Sequence, residues 1–190
     1  MYYQEMPDCP DFYKKIALIN NMRMAWEQHV YWNRLLLIST AERLKDLPDV
    51  TERLLQNPYD IASIFMPYYG NDAAARLASL ITEHLQIGAE LITALRNNKN
   101  DEAGKLNKEW CINAGKMAEA FSRLNPNYNL EELRGMMRRH LELASQETEA
   151  RLAGNYRADI EAFNKAEKEA IMMADYFTFG IMKQFPHKFT

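Results

Sequence analysis

Three histidines carry the chemistry open to this chain. His29, His84 and His140 each fall on the apolar stripe of an amphipathic segment, where a soluble helix ordinarily keeps leucine or methionine. Leu77, Leu80 and Ile81 lie one and two turns before His84, and Gly88 and Leu91 one and two turns after it. A buried, unpaired polar group costs on the order of 1–3 kcal/mol, so each imidazole must be hydrogen-bonded or must ligate something. Neutral imidazole is the commonest transition-metal ligand, and bundle cores host such sites on facing helices.

Carboxylates stand at helical spacing beside them. Glu147 lies two turns beyond His140 on the same face. Glu167 sits on the line Ile160, Phe163, Glu167, Ala170, Ala174, Phe177 and Ile181, with Asp175 near its edge. The expected ligand set is therefore His29, His84, His140, Glu147 and Glu167. Asn33, Asn113 and Asp175 stand behind it, the two asparagines fixing the imidazole tautomers. Mixed imidazole and carboxylate ligands suit Fe, Mn or Zn, and iron with open positions would allow redox chemistry with oxygen or peroxide. No known metal motif is completed. The Glu-x-x-His pair of ferritin-like di-iron bundles is missing, and so are the His-x-x-x-Glu and His-x-x-x-His patterns of hemerythrin-like ones; these resemble the chain in architecture alone. Two other readings stand. The polar residues form a structural hydrogen-bond layer in a non-catalytic bundle that works by self-association or partner binding, or they line a small-molecule pocket.

The elements that must position these groups are helices. A polar arm spans residues 1–10. A first helix runs from about Asp11 to Leu47 along Ile19, Met22, Trp26, Val30, Leu36 and Leu37, with a break allowed at Asn20-Asn21, and Pro48 ends it. Two short helices follow, Val50–Leu55 and Tyr59–Tyr69, and Gly70-Asn71 stops the second. Long helices are then expected at about 72–97, 101–124, 130–152 and 156–184, with a tail at 186–190 that leaves His187 in solvent. No stretch shows period-2 alternation. The expected fold is all-α: one domain over 1–190, a five-helix up-and-down antiparallel bundle with a short-helix crossover at 48–70. The direction of the first long helix relative to the second is open. Helix midpoints near residues 29, 85, 113, 141 and 170 coincide with the off-pattern polar residues, so those residues should share one layer.

Composition supports this. The 190 residues include 7 Gly and 7 Pro, few enough for long uninterrupted elements, and 47% are apolar and 26% charged. A formal net charge of −3 with no basic face argues against nucleic acid. No apolar run approaches the ~18 residues of a membrane span. No signal peptide is visible, and Cys9 and Cys111 are two lone thiols, which suits a cytoplasmic setting. A homo-oligomer is compatible with all of this. No Gly-rich phosphate loop, nucleophile elbow or dinucleotide fingerprint occurs, so no nucleotide cofactor is expected.

Trp-Glu-Gln-His (26–29), Arg-Leu-Leu-Gln-Asn (53–57), Glu-His-Leu-Gln-Ile-Gly-Ala-Glu-Leu (83–91), Met-Met-Ala-Asp (172–175) and Lys-Gln-Phe-Pro (183–186) resemble a group of small all-helical bacterial proteins. The resemblance spans nearly the whole chain and implies an all-helical fold. Some members carry the labels acetylglutamate kinase or glycosyltransferase. A kinase of that type needs an α/β sandwich with phosphate loops, and this sequence has neither.

Overall fold

The computed structural model describes residues 10–190; the expected arm at 1–9, Cys9 included, lies outside them. Six α-helices follow one another: α1 (Pro10–Glu42), α2 (Leu47–Leu54), α3 (Asn57–Arg96), α4 (Asn100–Leu124), α5 (Leu130–Leu152) and α6 (Tyr156–Gln184). A short 3-10 turn, Pro186–Phe189, closes the chain, and no strand occurs among the described residues. None of these helices is long and apolar enough to cross a membrane.

The first boundary departs from the expectation. α1 runs unbroken through Asn20-Asn21 and stops at Glu42, before Pro48. Arg43 takes a left-handed conformation with φ of 54°, and Leu44 N–H reaches back to the Ser39 carbonyl at 2.9 Å. That is a Schellman-type stop made without glycine. Pro48 then opens α2, where its missing N–H costs nothing.

The crossover decides the direction that periodicity leaves open. α3 contains a reversal at Gly70, whose φ of 83° and ψ of 172° suit glycine alone. Its first arm descends along α1: Asn57 lies beside Ala25 and His29, and Pro67 meets Lys188 at the far end. Its second arm climbs back beside the first, with Ala62, Ala74 and Ala78 allowing close approach. Arg96 at its end donates to the Ala41 carbonyl at 2.7 Å. α1 and the second arm of α3 are therefore parallel, and the crossover uses the bundle's length to make them so. The remaining neighbours alternate. α3, α4, α5, α6 and α1 pack in a closed ring.

The half of the barrel toward Gly70 is filled by aromatics. Phe121 and Phe177 have ring centroids 4.4 Å apart, Phe65 packs on both, and Trp26 stacks on Phe177 at 5.3 Å. The C-terminal turn belongs to this half, since Phe189 is buried and stacks on Tyr68, while His187 is exposed as expected. Tyr128 packs against Gly180 and donates to the Phe177 carbonyl at 2.6 Å. A Cβ at Gly180 would stand 2.0 Å from the Tyr128 ring. Gly180→Ala should therefore destabilise the protein by about 1–3 kcal/mol in urea unfolding. Gly104→Ala is the control: its Cβ meets nothing within 4 Å, and it should gain up to about 1 kcal/mol. Equal stability of the two variants would show that the Tyr128 contact yields.

α6 keeps its expected line at Ala170, Ala174, Phe177 and Ile181, all buried, and is rotated from it in its first half. There the buried residues are Asp159, Ala162, Ala166 and Glu169, and Ile160 is 51% exposed. Small residues allow α6 close to α1 and α5, whereas the larger Ile160 faces outward.

Candidate functional site

The three histidines do meet. His29, His84 and His140 are all buried, with ring centroids 5.5 Å apart for His29 and His140 and 6.0 Å for His84 and His140. They come from α1, the second arm of α3, and α5. Each lies near the middle of its helix, so a ring of packed helices brings them to one height.

Two of them are held by the same device. Asn57 donates from Nδ2 to the Ala25 carbonyl at 2.9 Å and pairs through Oδ1 with His29 Nδ1 at 3.0 Å. Asn113 donates from Nδ2 to the Leu80 carbonyl at 3.2 Å and pairs through Oδ1 with His84 Nδ1 at 3.0 Å. In both cases the asparagine bridges a histidine and the carbonyl four residues before it. The donor role of Nδ2 fixes the amide orientation, which makes Oδ1 the acceptor and Nδ1–H the donor. In the neutral rings Nε2 is then a bare lone pair. His84 Nε2 is buried and has no hydrogen-bond partner. Trp110 stacks on the His84 ring at 5.2 Å and donates to the His84 carbonyl at 3.1 Å.

His140 is backed differently. The nearest acid to its Nδ1 is Glu169, with Oε2 at 3.6 Å, too long for a hydrogen bond. Both Glu169 oxygens and His140 Nδ1 are buried without a hydrogen-bond partner. Burial pushes His29 down to about 3, with the neighbouring His140 adding to the effect against the Asn57 bond. Burial likewise holds His84 well below the usual imidazole range, assisted by His140 and His29. Both rings are neutral at pH 7.

The other expected site residues are placed apart. Glu167 is turned to the rim, where Tyr31 Oη donates to it at 2.6 Å. Its expected place in the layer falls to Glu169, as the rotation of α6 requires. Asp175 forms a two-pronged pair with Arg23, both contacts at 2.7 Å, away from the layer. Asn33 donates to the His29 backbone carbonyl at 2.9 Å and so does not orient the ring. Glu147 is above the layer, bound to Arg34 at 2.5 Å; burial pushes its carboxyl up to about 7 against the pull of Arg34. Asn57 and Glu169 are the positions that periodicity missed. Asn57 precedes Pro58 and reads as a helix start, while Glu169 lies among alternating Lys and Glu that read as surface.

On the side away from the aromatics the layer opens into a cavity of about 310 Å³. The three histidines form its floor, and Val30, Leu85, Leu91, Ala103 and Ala144 its walls. Asn100, Asn107, Ser145 and Glu147 add polar atoms along it. The space exists because this half of the bundle places Gly88, Ala103, Ala144 and Ala166 where the other half places phenylalanines. Below the rings the void shrinks to about 10 Å³ among Trp26, Ile61, Ile81, Met117, Met137 and Met173. The rings thus divide a packed half from an open one.

Among the described residues no three His, Cys, Asp or Glu side chains stand as a set that could hold a metal ion. Three imidazoles on one tetrahedral ion, with metal–nitrogen bonds of about 2.0–2.1 Å, would bring their centroids to about 5 Å. The observed spacings exceed that by up to an ångström.

The fold and site define an all-α bundle with a buried histidine layer and an adjoining cavity. Comparison with protein-family models, curated proteins and solved structures returns no match. The resemblance to small bacterial helical proteins has no support from these comparisons, and the architecture agrees with it only in being all-helical.

Proposed function

We propose that this protein binds a small, mainly apolar molecule in the cavity above the histidine layer. The observation that supports this best is the cavity itself. Its volume is at the lower end of ligand sites, its walls are apolar, and a few polar atoms converge at one end. Close packing is the default for protein interiors, so space left beside buried polar groups calls for an occupant.

A transition metal on the three Nε2 atoms is the second reading, and one observation favours it. Asn57, Asn113 and Glu169 buttress the Nδ1 sides from three different elements, as partners behind metal-bound imidazoles do. Fe, Mn or Zn would fit the donor set, with Glu147 and Glu167 too far committed to Arg34 and Tyr31 to join it. The spacing of the rings places this reading second.

Protein purified without chelator or nickel affinity separates the readings. Native mass spectrometry should show an organic adduct, released on denaturation, with metal well below one equivalent. Stoichiometric Fe, Mn or Zn that disappears in His84→Ala would move the assignment to the metal. Absence of both, with small apolar molecules failing to raise the melting temperature, would leave the layer a structural one.

A further inference from the structure

The tautomers of the histidine layer specify what the cavity's occupant must offer. This step rests on the cavity being a ligand site. His29 and His84 donate through Nδ1 to asparagine oxygens that are themselves locked by backbone carbonyls. His29 and His84 therefore carry lone pairs and no hydrogen at Nε2. Two acids flank the layer, Glu169 near His140 and Glu147 bound to Arg34. A floor of acceptors can be satisfied by hydrogen-bond donors and cannot be satisfied by further acceptors.

The walls set the rest of the molecule. From His84 to Leu95 the lining of α3 advances eleven residues, about 16 Å at 1.5 Å per residue. Leu85, Leu91, Ile92 and Leu95 follow that path and leave an apolar passage from floor to mouth.

We infer that the cavity takes an aliphatic molecule bearing a hydroxyl or primary amine, seated with that head on His29 and His84, and that it rejects the corresponding carboxylate. A carboxylate has no hydrogen to give, and its oxygens would face the lone pairs of these two rings. The expected preference is at least about tenfold in Kd, from polar groups that the wrong analogue leaves unpaired.

The test uses the full chain freed of metal by a chelator, at pH 8. Straight-chain alcohols, amines and carboxylates of six to twelve carbons are titrated, with binding read from tryptophan fluorescence, to which Trp110 in the cavity wall contributes, and from melting temperature. Alcohols and amines should bind, and carboxylates at least about tenfold more weakly. His84→Phe keeps a ring against Trp110 and removes one acceptor; it should narrow the preference while the chain still binds. Ala144→Leu fills the wall and should weaken all three series, which excludes surface adsorption. Equal binding of the three heads, or better binding of the carboxylate by metal-free protein, overturns the donor selectivity and leaves the cavity reading standing. Binding of none of the series, or undiminished binding by Ala144→Leu, overturns the cavity reading itself. Carboxylates that bind only after Zn or Fe is added would show that the floor is a metal site, and the inference fails in that case also.

Discussion

Arg34→Met should lower the stability of the protein by about 3–5 kcal/mol, the loss typical of breaking a buried ion pair from one side. Arg34 reaches from α1 to Glu147 on α5 at 2.5 Å and to Asp159 on α6 at 2.7 and 3.3 Å. Its side chain is 16% exposed and that of Asp159 is fully buried. Removing the guanidinium takes the fork from two acids buried between three helices, and Glu147 then holds a proton. Asp159 keeps Arg151 at 3.3 Å, but Glu147 keeps no cation. Arg34 also stands over the Phe163 ring at 4.6 Å, a contact the methionine stem replaces in part. Urea unfolding of four proteins resolves the causes. At pH 7 Arg34→Met with Glu147→Gln should be about as stable as Arg34→Met alone, because Glu147, raised to about 7 even beside Arg34, takes up a proton once the guanidinium has gone. Arg34→Lys should recover part of the loss, since it restores the charge without the fork. A loss below about 1 kcal/mol in Arg34→Met would place this trio with surface ion pairs.

The sequence announces some of this arrangement and hides the rest. His29, His84, His140 and Asn113 stand out because a polar residue interrupts an apolar period, and that signal depends only on the helix repeat. Helices α5 and α6 are bounded by Asn-Pro-Asn, Gly-Asn and a late Pro, and both fall where those breakers put them. The end of α1 is hidden because a Schellman stop at Arg43 leaves no glycine to read. Pro48 looks like a terminator and acts as an initiator, an ambiguity inherent in proline's tolerance of a first turn. The direction of α3 follows from a reversal at Gly70, and one glycine does not say how sharply the chain turns. Glu169 is hidden for a different cause. Two residues separate it from Glu167, a rotation of more than half a turn, and which of them faces inward depends on Ala162 and Ala166 packing closely against neighbours. Periodicity ranks alanine below isoleucine as a core residue, so the line through Ile160 reads as the buried one. The paired asparagine clamps are tertiary throughout, since each joins residues about thirty apart.

The histidine layer should also make stability depend on pH, in a direction that its burial determines. His29 has a pKa of about 3 in the folded protein and an ordinary value of 6.5. Between those limits the unfolded chain binds a proton that the folded one refuses, so stability rises with pH across the window and falls as acid is added. His84 shifts in the same direction for the same cause. Each such proton steepens the unfolding constant by about tenfold per pH unit. Glu147 acts oppositely. Its folded value of about 7 exceeds the ordinary 4.5, so the folded state holds the extra proton there and stability falls as pH rises through that range. Between pH 5 and 6 the two histidines therefore outweigh one carboxyl, and together these three groups should take up about one net proton on unfolding. Glu147→Gln should raise that uptake to about two, and His29→Gln should bring it near zero. Urea midpoints measured every half unit give the uptake directly. An unchanged slope in His29→Gln would mean that His29 is already protonated in the folded state, and with it the assignment of bare Nε2 acceptors at the floor of the cavity would fall.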